Sequence, residues 1–306
     1  QTQKQEFVCL QGSYHGETVG ALSVTDIALF RDAYAPLIRN EHVHLAPSPD
    51  ARFAQPGESA EDVANRAADA LEQLFVARAG KIAALIIEPL VQCATGMAMH
   101  HPRYLQRARA LCDQYQAHLI CDEIAVGFGR TGTFFAHEQA GIRPDVLCLS
   151  KGITGGYLPL SVVLCSDPIY QAFWDDDVRR GFLHSHSYTG NPLACSAALA
   201  TLDIFDTENT LENNRHLSSV ITKALQPLAT HSAVRHFRNT GMIWAMDIDT
   251  AQADFSRRYF AAAMERGILV RPIGNTVYLM PPYVLSESDA EWLAGQMLSA
   301  LHATLA

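Results

Sequence analysis

Four short apolar runs constrain this chain more than any other feature: residues 82–87, 118–121, 146–149 and 161–165. Each is largely a continuous block of Ile, Leu, Val, Ala or Cys, without the polar alternation of a strand that has one wet face. Strands of that texture belong to a mostly parallel sheet covered by helices on both sides, so the fold class is α/β. Between the first two runs, residues 102–115 place Leu105, Ala108 and Leu111 at helical spacing, which completes a β-α-β rhythm. The texture changes near Asp206. Beyond it the pattern predicts a helix over 211–228, a strand over 242–248, a helix over 255–266, a strand over 276–280 and a closing helix from Ser286. With 306 residues to divide, ordinary domain sizes suggest two units. We read 1–205 as a large domain and 206–306 as a smaller C-terminal α+β domain, joined through an Ala-rich helix over 191–205 with Pro192 in its first turn.

Composition narrows the class of partner. A formal charge of −9 with scattered Arg and Lys argues against nucleic acid, which requires a basic face, and leaves small molecules as the expected partners. No apolar run is long enough to span a bilayer, so no membrane association is expected. The seven cysteines form no C-x-x-C pair and mostly lie in apolar segments, which reads as reduced thiols in a cytoplasmic protein. The chain opens on polar residues, without an initiator Met or an apolar signal, and reads as an N-terminally incomplete piece.

Each apolar run closes on polar residues: Glu88, then Asp122 and Glu123, then Ser150 and Lys151. In a parallel sheet these ends meet at one edge, the side on which α/β proteins bind ligands. Lys151 is one of four lysines, and Lys4, Lys81 and Lys223 sit in polar or turn-like surroundings. A strand-end lysine often only snorkels to water. Desolvation beside apolar strands would instead lower its pKa, as a Schiff-base nucleophile requires, and Gly152, Gly155 and Gly156 would admit a bulky ligand. Asp122 suits either a turn cap or a carboxylate set against a protonated ring nitrogen.

Three further motifs have competing readings. Gly127 to Gly132 matches G-x-G-x-x-G, which would make the chain an NAD-linked oxidoreductase. Residues 133–137 lack a helix start, however, Pro144 interrupts, and no acid closes a second strand. His184 and His186 could pair on a metal but lack a third ligand at a recognisable spacing, so no metal site is expected. Ser187 stands just before a helix N-terminus, where a hydroxyl can cap the turn or meet a phosphate. A non-catalytic fragment that keeps the fold is the remaining alternative.

With Asp122-Glu123-Ile124, Gly127 to Gly132, Leu149 to Gly156 and Thr189-Gly190-Asn191-Pro192 in this order, the chain resembles the class III (subgroup II) aminotransferases. These are pyridoxal 5′-phosphate (PLP) enzymes of fold type I. The likeness runs from Tyr14-His15-Gly16 into the C-terminal domain, and residues 184–195 and 271–283 bring it nearest to the biotin-pathway branch. That resemblance implies S-adenosylmethionine as amino donor, 8-amino-7-oxononanoate as acceptor, and a homodimer with active sites at its interface. It implies that Lys151 carries the cofactor and moves the substrate proton, that Asp122 holds the pyridinium, and that Tyr14 and Ile124 cover the two ring faces. Tyr14 would also touch substrate, and Ser187 would reach the phosphate of the neighbouring subunit's cofactor. Arg271 would pair with the acceptor's carboxylate, a task suited to a bidentate guanidinium, with Tyr278 beside the substrate channel. Ala125 stands where the ornithine and γ-aminobutyrate aminotransferases carry Gln, and Ser187 replaces a commoner Thr. The family's N-terminal arm and its Gly/Ser phosphate loop have no counterpart in this chain.

Overall fold

The computed structural model describes residues 3–306. Gln1 and Thr2, part of the polar start noted above, lie outside the described residues. In chain order the strands are β1 (Glu6–Leu10), β2 (Val43–Ala46), β3 (Ile82–Ile87), β4 (Val91–Gln92), β5 (Ala98–Met99), β6 (His118–Asp122), β7 (Val146–Leu149), β8 (Val162–Cys165), β9 (Val234–Thr240), β10 (Ile243–Ile248) and β11 (Thr276–Leu279). The helices are α1 (Val19–Ser23), α2 (Ala28–Arg31), α3 (Ala60–Ala77), α4 (Arg103–Gln114), α5 (Asp167–Gln171), α6 (Pro192–Thr207), α7 (Thr210–Ala224), α8 (Gln226–Ala229), α9 (Phe255–Glu265) and α10 (Glu287–Leu305).

The main sheet runs in the order β2-β1-β3-β6-β7-β8. Its pairs are parallel except β7 with β8, which is antiparallel and forms one edge. Three of the apolar blocks thus sit where expected, whereas the fourth, β8, pairs antiparallel and is largely exposed. Helices α3 and α4 pack over the sheet, where Leu71 and Phe75 from α3 and Leu105 and Leu111 from α4 are buried with Leu85, Ile87 and Leu119. Sequence patterning singled out neither β1, β2 nor α3. The start of α3 is nevertheless locally encoded, since Ser59 and Asp62 form a reciprocal capping box. Asn191 caps α6 by accepting from the Leu193 amide, with Pro192 at the first helical position.

Two differences in the C-terminal part have local causes. The helix expected over 211–228 ends at Ala224 and resumes as the single turn α8. Pro227 has no amide hydrogen to give the preceding turn, and its ring crowds the carbonyl four residues back. β9 escaped the pattern because four of its seven residues are Arg, His or Asn. It joins a second sheet, β11-β10-β9, all antiparallel.

The pleat of this small sheet places it between two cores. Trp244, Met246 and Ile248 of β10 bury into a cluster with Phe255, Tyr259 and Leu301, whereas Ile243 and Ala245 face the core of the main sheet. β11 behaves likewise: Val277 and Leu279 enter the small core while Tyr278 turns toward the large one. That alternation is what brings a residue of the second half of the chain to the edge of the main sheet. Among the described residues no helix is long and apolar enough to cross a membrane.

Candidate active site

A cavity of about 480 Å³ opens at the carboxyl ends of β3, β6 and β7, with Glu88, Asp122 and Lys151 on its wall. Parallel pairing puts these ends on one side of the sheet, so three residues far apart in sequence become neighbours. Tyr14, Ile124 and Tyr278 line the same cavity. Ser187 and Arg271 do not. Ser187 lies exposed on the approach to α6, and Arg271 is exposed two residues before Ile273, which does line the cavity. Arg271 makes no hydrogen bond or ion pair with any described residue.

Asp122 is buried, and each of its oxygens has a partner. One carboxylate oxygen lies 2.9 Å from Nδ1 of His15, and the other accepts the Ile124 amide at 3.1 Å. Donation from His15 requires its proton on Nδ1. The buried Nε2 has no hydrogen-bond partner among the described residues, and His15 lines the cavity. His15 entered the sequence reading only as a neighbour of Tyr14. Its partner lies 107 positions away, a distance over which no spacing rule operates.

Glu88 accepts the Tyr14 amide at 3.0 Å and the Cys93 amide at 3.3 Å. Loss of hydration pushes its carboxyl up to about 7, and neighbouring Asp122 adds to the rise while His15 and the two amides oppose it. The amide bond to Tyr14 positions the backbone that carries this ring. The ring itself packs on Phe30 with centroids 4.9 Å apart, and its hydroxyl donates to Glu17 at 3.0 Å. Burial, with Glu17 beside it, pushes the Tyr14 phenol up, so the hydroxyl keeps its proton.

Lys151 departs from expectation in one respect. It is exposed rather than desolvated by apolar strands: it lies two residues beyond β7, at the start of a 3-10 turn, and lines the cavity from there. Its backbone adopts φ +47°, in the left-handed region, which for a residue with a Cβ costs roughly 1–2 kcal/mol. Gly152 follows because a Cβ there would come within 3.1 Å of the Phe128 ring.

The glycine motif has a structural task. A Cβ on Gly241, at φ +56°, would lie 2.3 Å from the Thr131 carbonyl carbon, and the Met242 amide donates to the Arg130 carbonyl at 2.9 Å. Gly127 to Gly132 is therefore the surface on which the β9–β10 turn docks. The Arg130 guanidinium donates to the Pro281 carbonyl at 2.7 Å and lies over the Tyr283 ring. Glu123, wholly buried, accepts the Ala136 and His137 amides and the His137 ring nitrogen, which closes the segment into a short 3-10 turn rather than a dinucleotide-binding helix.

The chain matches the family Aminotransferase class-III over residues 1–301 and belongs to it; PLP is that family's cofactor. It is 44% identical over 94% of its length to an adenosylmethionine-8-amino-7-oxononanoate aminotransferase of Helicobacter pylori, of which it spans 65%. Among solved structures it resembles the enzyme of that name from Methanocaldococcus jannaschii, with a TM-score of 0.87 at 31% identity, covering 98% of this chain and 68% of that one. It also resembles an omega transaminase of Pseudomonas jessenii in complex with PMP, with a TM-score of 0.91 at 28% identity and the same coverage.

The residues present suit the family's cofactor. The cavity has the volume of a cofactor-sized ligand and combines a primary amine, a buried carboxylate, an apolar side chain at Ile124 and an unpartnered imidazole nitrogen.

Proposed function

We propose that the complete protein is a PLP-dependent aminotransferase of biotin biosynthesis, moving the amino group of S-adenosylmethionine to 8-amino-7-oxononanoate to give 7,8-diaminononanoate. The observation that carries this reading is the meeting of Lys151 and Asp122 at one cavity. PLP bound there supplies an electron sink for the carbon that loses its proton. Lys151 Nζ anchors the cofactor, takes the proton from the donor's α-carbon and later delivers one to the acceptor carbon. Asp122 holds positive charge at the ring nitrogen, and His15 keeps its carboxylate in place. Ile124 and Tyr14 confine the ring, and Tyr278 borders the substrate.

Arg271, exposed and without an ion partner, is free to pair with the acceptor's remote carboxylate. Ser187, away from its own chain's cavity, suits a role at a neighbouring subunit's phosphate in a cytoplasmic homodimer. Residues 1–205 serve as the cofactor domain and 206–306 as the small domain, a division that the two separate cores support.

The test uses full-length protein. Borohydride reduction followed by peptide mass analysis should leave the cofactor's mass on Lys151. Arg271→Ala should weaken the acceptor roughly ten- to a hundredfold through loss of a charge-assisted pair while amino uptake from the donor stays unchanged. A label on another lysine overturns the reading of the site. Equal impairment of donor and acceptor, or of neither, overturns the choice of acceptor.

A further inference from the structure

One part of the cavity wall is the short turn after β4, whose residues Cys93, Ala94 and Met97 line it. This turn offers three consecutive backbone carbonyls outward, and two arginines take all three. Arg52 donates to the Thr95 carbonyl at 2.9 Å; Arg238 donates to Gly96 at 2.5 Å and to Met97 at 3.0 Å. Arg52 comes from the large part of the chain and Arg238 from β9. Between them lies Asp247 of β10, whose Oδ1 is 3.5 Å from Arg52, 3.1 Å from Arg238 and 2.8 Å from the hydroxyl of Thr276 on β11. Its other oxygen faces His236 at 3.1 Å, and Arg52 is also paired with Asp50 at 2.7 Å.

The fit is close. A Cβ on Gly96 would stand 2.7 Å from the Thr276 hydroxyl, and the Thr95 hydroxyl is bonded to the Gly12 carbonyl, two residues before Tyr14. Burial alone would raise the Asp247 carboxyl, but its bonds to Thr276 and Arg238 outweigh that and hold it below its ordinary value, so it remains charged. Thr276 begins the strand that carries Tyr278, and Met280 follows; both line the cavity, as the turn does. One carboxylate therefore ties both walls together.

We infer that Asp247, with Arg52 and Arg238, is a positioning clamp that sets the spacing between the Cys93–Met97 wall and the Tyr278–Met280 wall, and with it the affinity for the substrate held between them. The substrate part of this inference rests on the aminotransferase reading; the clamp does not. None of the three side chains touches the reacting atoms, so the effect belongs to binding rather than to chemistry.

The experiment compares full-length wild type with Asp247→Asn, Asp247→Glu and Thr276→Val. Hydrogen–deuterium exchange is read in peptides covering 93–99 and 276–280, alongside KM and kcat for 8-amino-7-oxononanoate. Asp247→Asn should speed exchange in both peptides and raise the acceptor KM about tenfold, with kcat changed less than about twofold. Asp247→Glu should recover part of both effects, and Thr276→Val, which removes one hydroxyl and keeps the shape, should shift both in the same direction by less. Unchanged exchange in folded Asp247→Asn overturns the clamp, as does a fall in kcat at constant KM. Should Asp247→Asn not fold, unchanged exchange in Thr276→Val overturns it instead. If wild-type protein shows no transamination, the proposed function fails while the exchange measurement still decides the clamp.

Discussion

Glu88 shows how one buried side chain gives the site a pH dependence of its own. Its carboxyl titrates near 7 in the folded chain against an ordinary value of 4.5. Between those values the folded state holds the proton more tightly than the unfolded one, so Glu88's contribution to stability is fully present below about 4.5 and is lost as pH rises through 7. The size is on the order of 3 kcal/mol, at 1.4 kcal/mol per unit. His100, whose ring bonds the Glu88 carbonyl at 3.4 Å, works oppositely: burial pushes it down to about 4, so stability falls as pH drops from 6.5 toward 4. The two slopes offset each other in the wild type, and a variant separates them. Glu88→Gln should gain stability relative to wild type by roughly 1–3 kcal/mol between pH 5 and pH 8, measured by urea unfolding at both pH values. The same difference at both would mean that Glu88 does not titrate in this window. Glu88 could be picked out as a strand-end acid, but the amides that hold it come from Tyr14 and Cys93, which no local pattern links.

Among the elements, the β9–β10 turn has the least tolerance. Gly241 combines φ +56° with a Cβ position 2.3 Å and 2.5 Å from backbone atoms of Thr131 and Gly132, neither of which can rotate away. Gly241→Ala should therefore destabilise by about 3 kcal/mol or more, since strain and collision add. Gly141→Ala is the control: its φ is +63° but nothing stands within 4 Å of the new Cβ, so only the left-handed penalty of roughly 1–2 kcal/mol remains. Chemical denaturation of the two variants should differ clearly, and equal losses would mean that the turn does not dock as described. The glycines of Gly127 to Gly132 were conspicuous in the sequence as a match to a dinucleotide motif that their surroundings argued against. Their partner, a turn more than a hundred residues later, is a matter of tertiary contact alone.

Across the whole molecule, one face stays uncovered. Large apolar side chains are exposed from Tyr157 through Ile204, including Trp174 at 69%, Leu183 at 84% and Leu199 at 62%, and α6 buries only Ala194 and Ala198. The antiparallel edge strand β8 exposes Val163 and Leu164 beside them. An apolar surface of this extent, next to an open sheet edge, calls for a partner. In the proposed homodimer this face is the interface, and Leu199→Asp in the full-length protein should shift the mass measured by light scattering from dimer to monomer, because a buried unpaired carboxylate costs several kcal/mol. A monomeric wild type, or a dimer indifferent to the change, would place the contact elsewhere.

The sequence by itself determined what depends on neighbours along the chain. Continuous apolar blocks implied a covered parallel sheet, helical spacing placed α4, α6, α9 and α10, and polar residues closing the strands marked Asp122 and Lys151 as site candidates. Local order carries these features because side-chain periodicity records which face of an element is buried. Only the tertiary structure decided that β8 runs against its neighbour, that His15 meets Asp122 across 107 positions, that Arg52 meets Asp247 across 195, and that Lys151 emerges exposed. A hydrogen bond between distant segments leaves no period in either one, since each partner needs only to be polar and in place. The fold supplies that place by bringing strand ends and turns together at one edge.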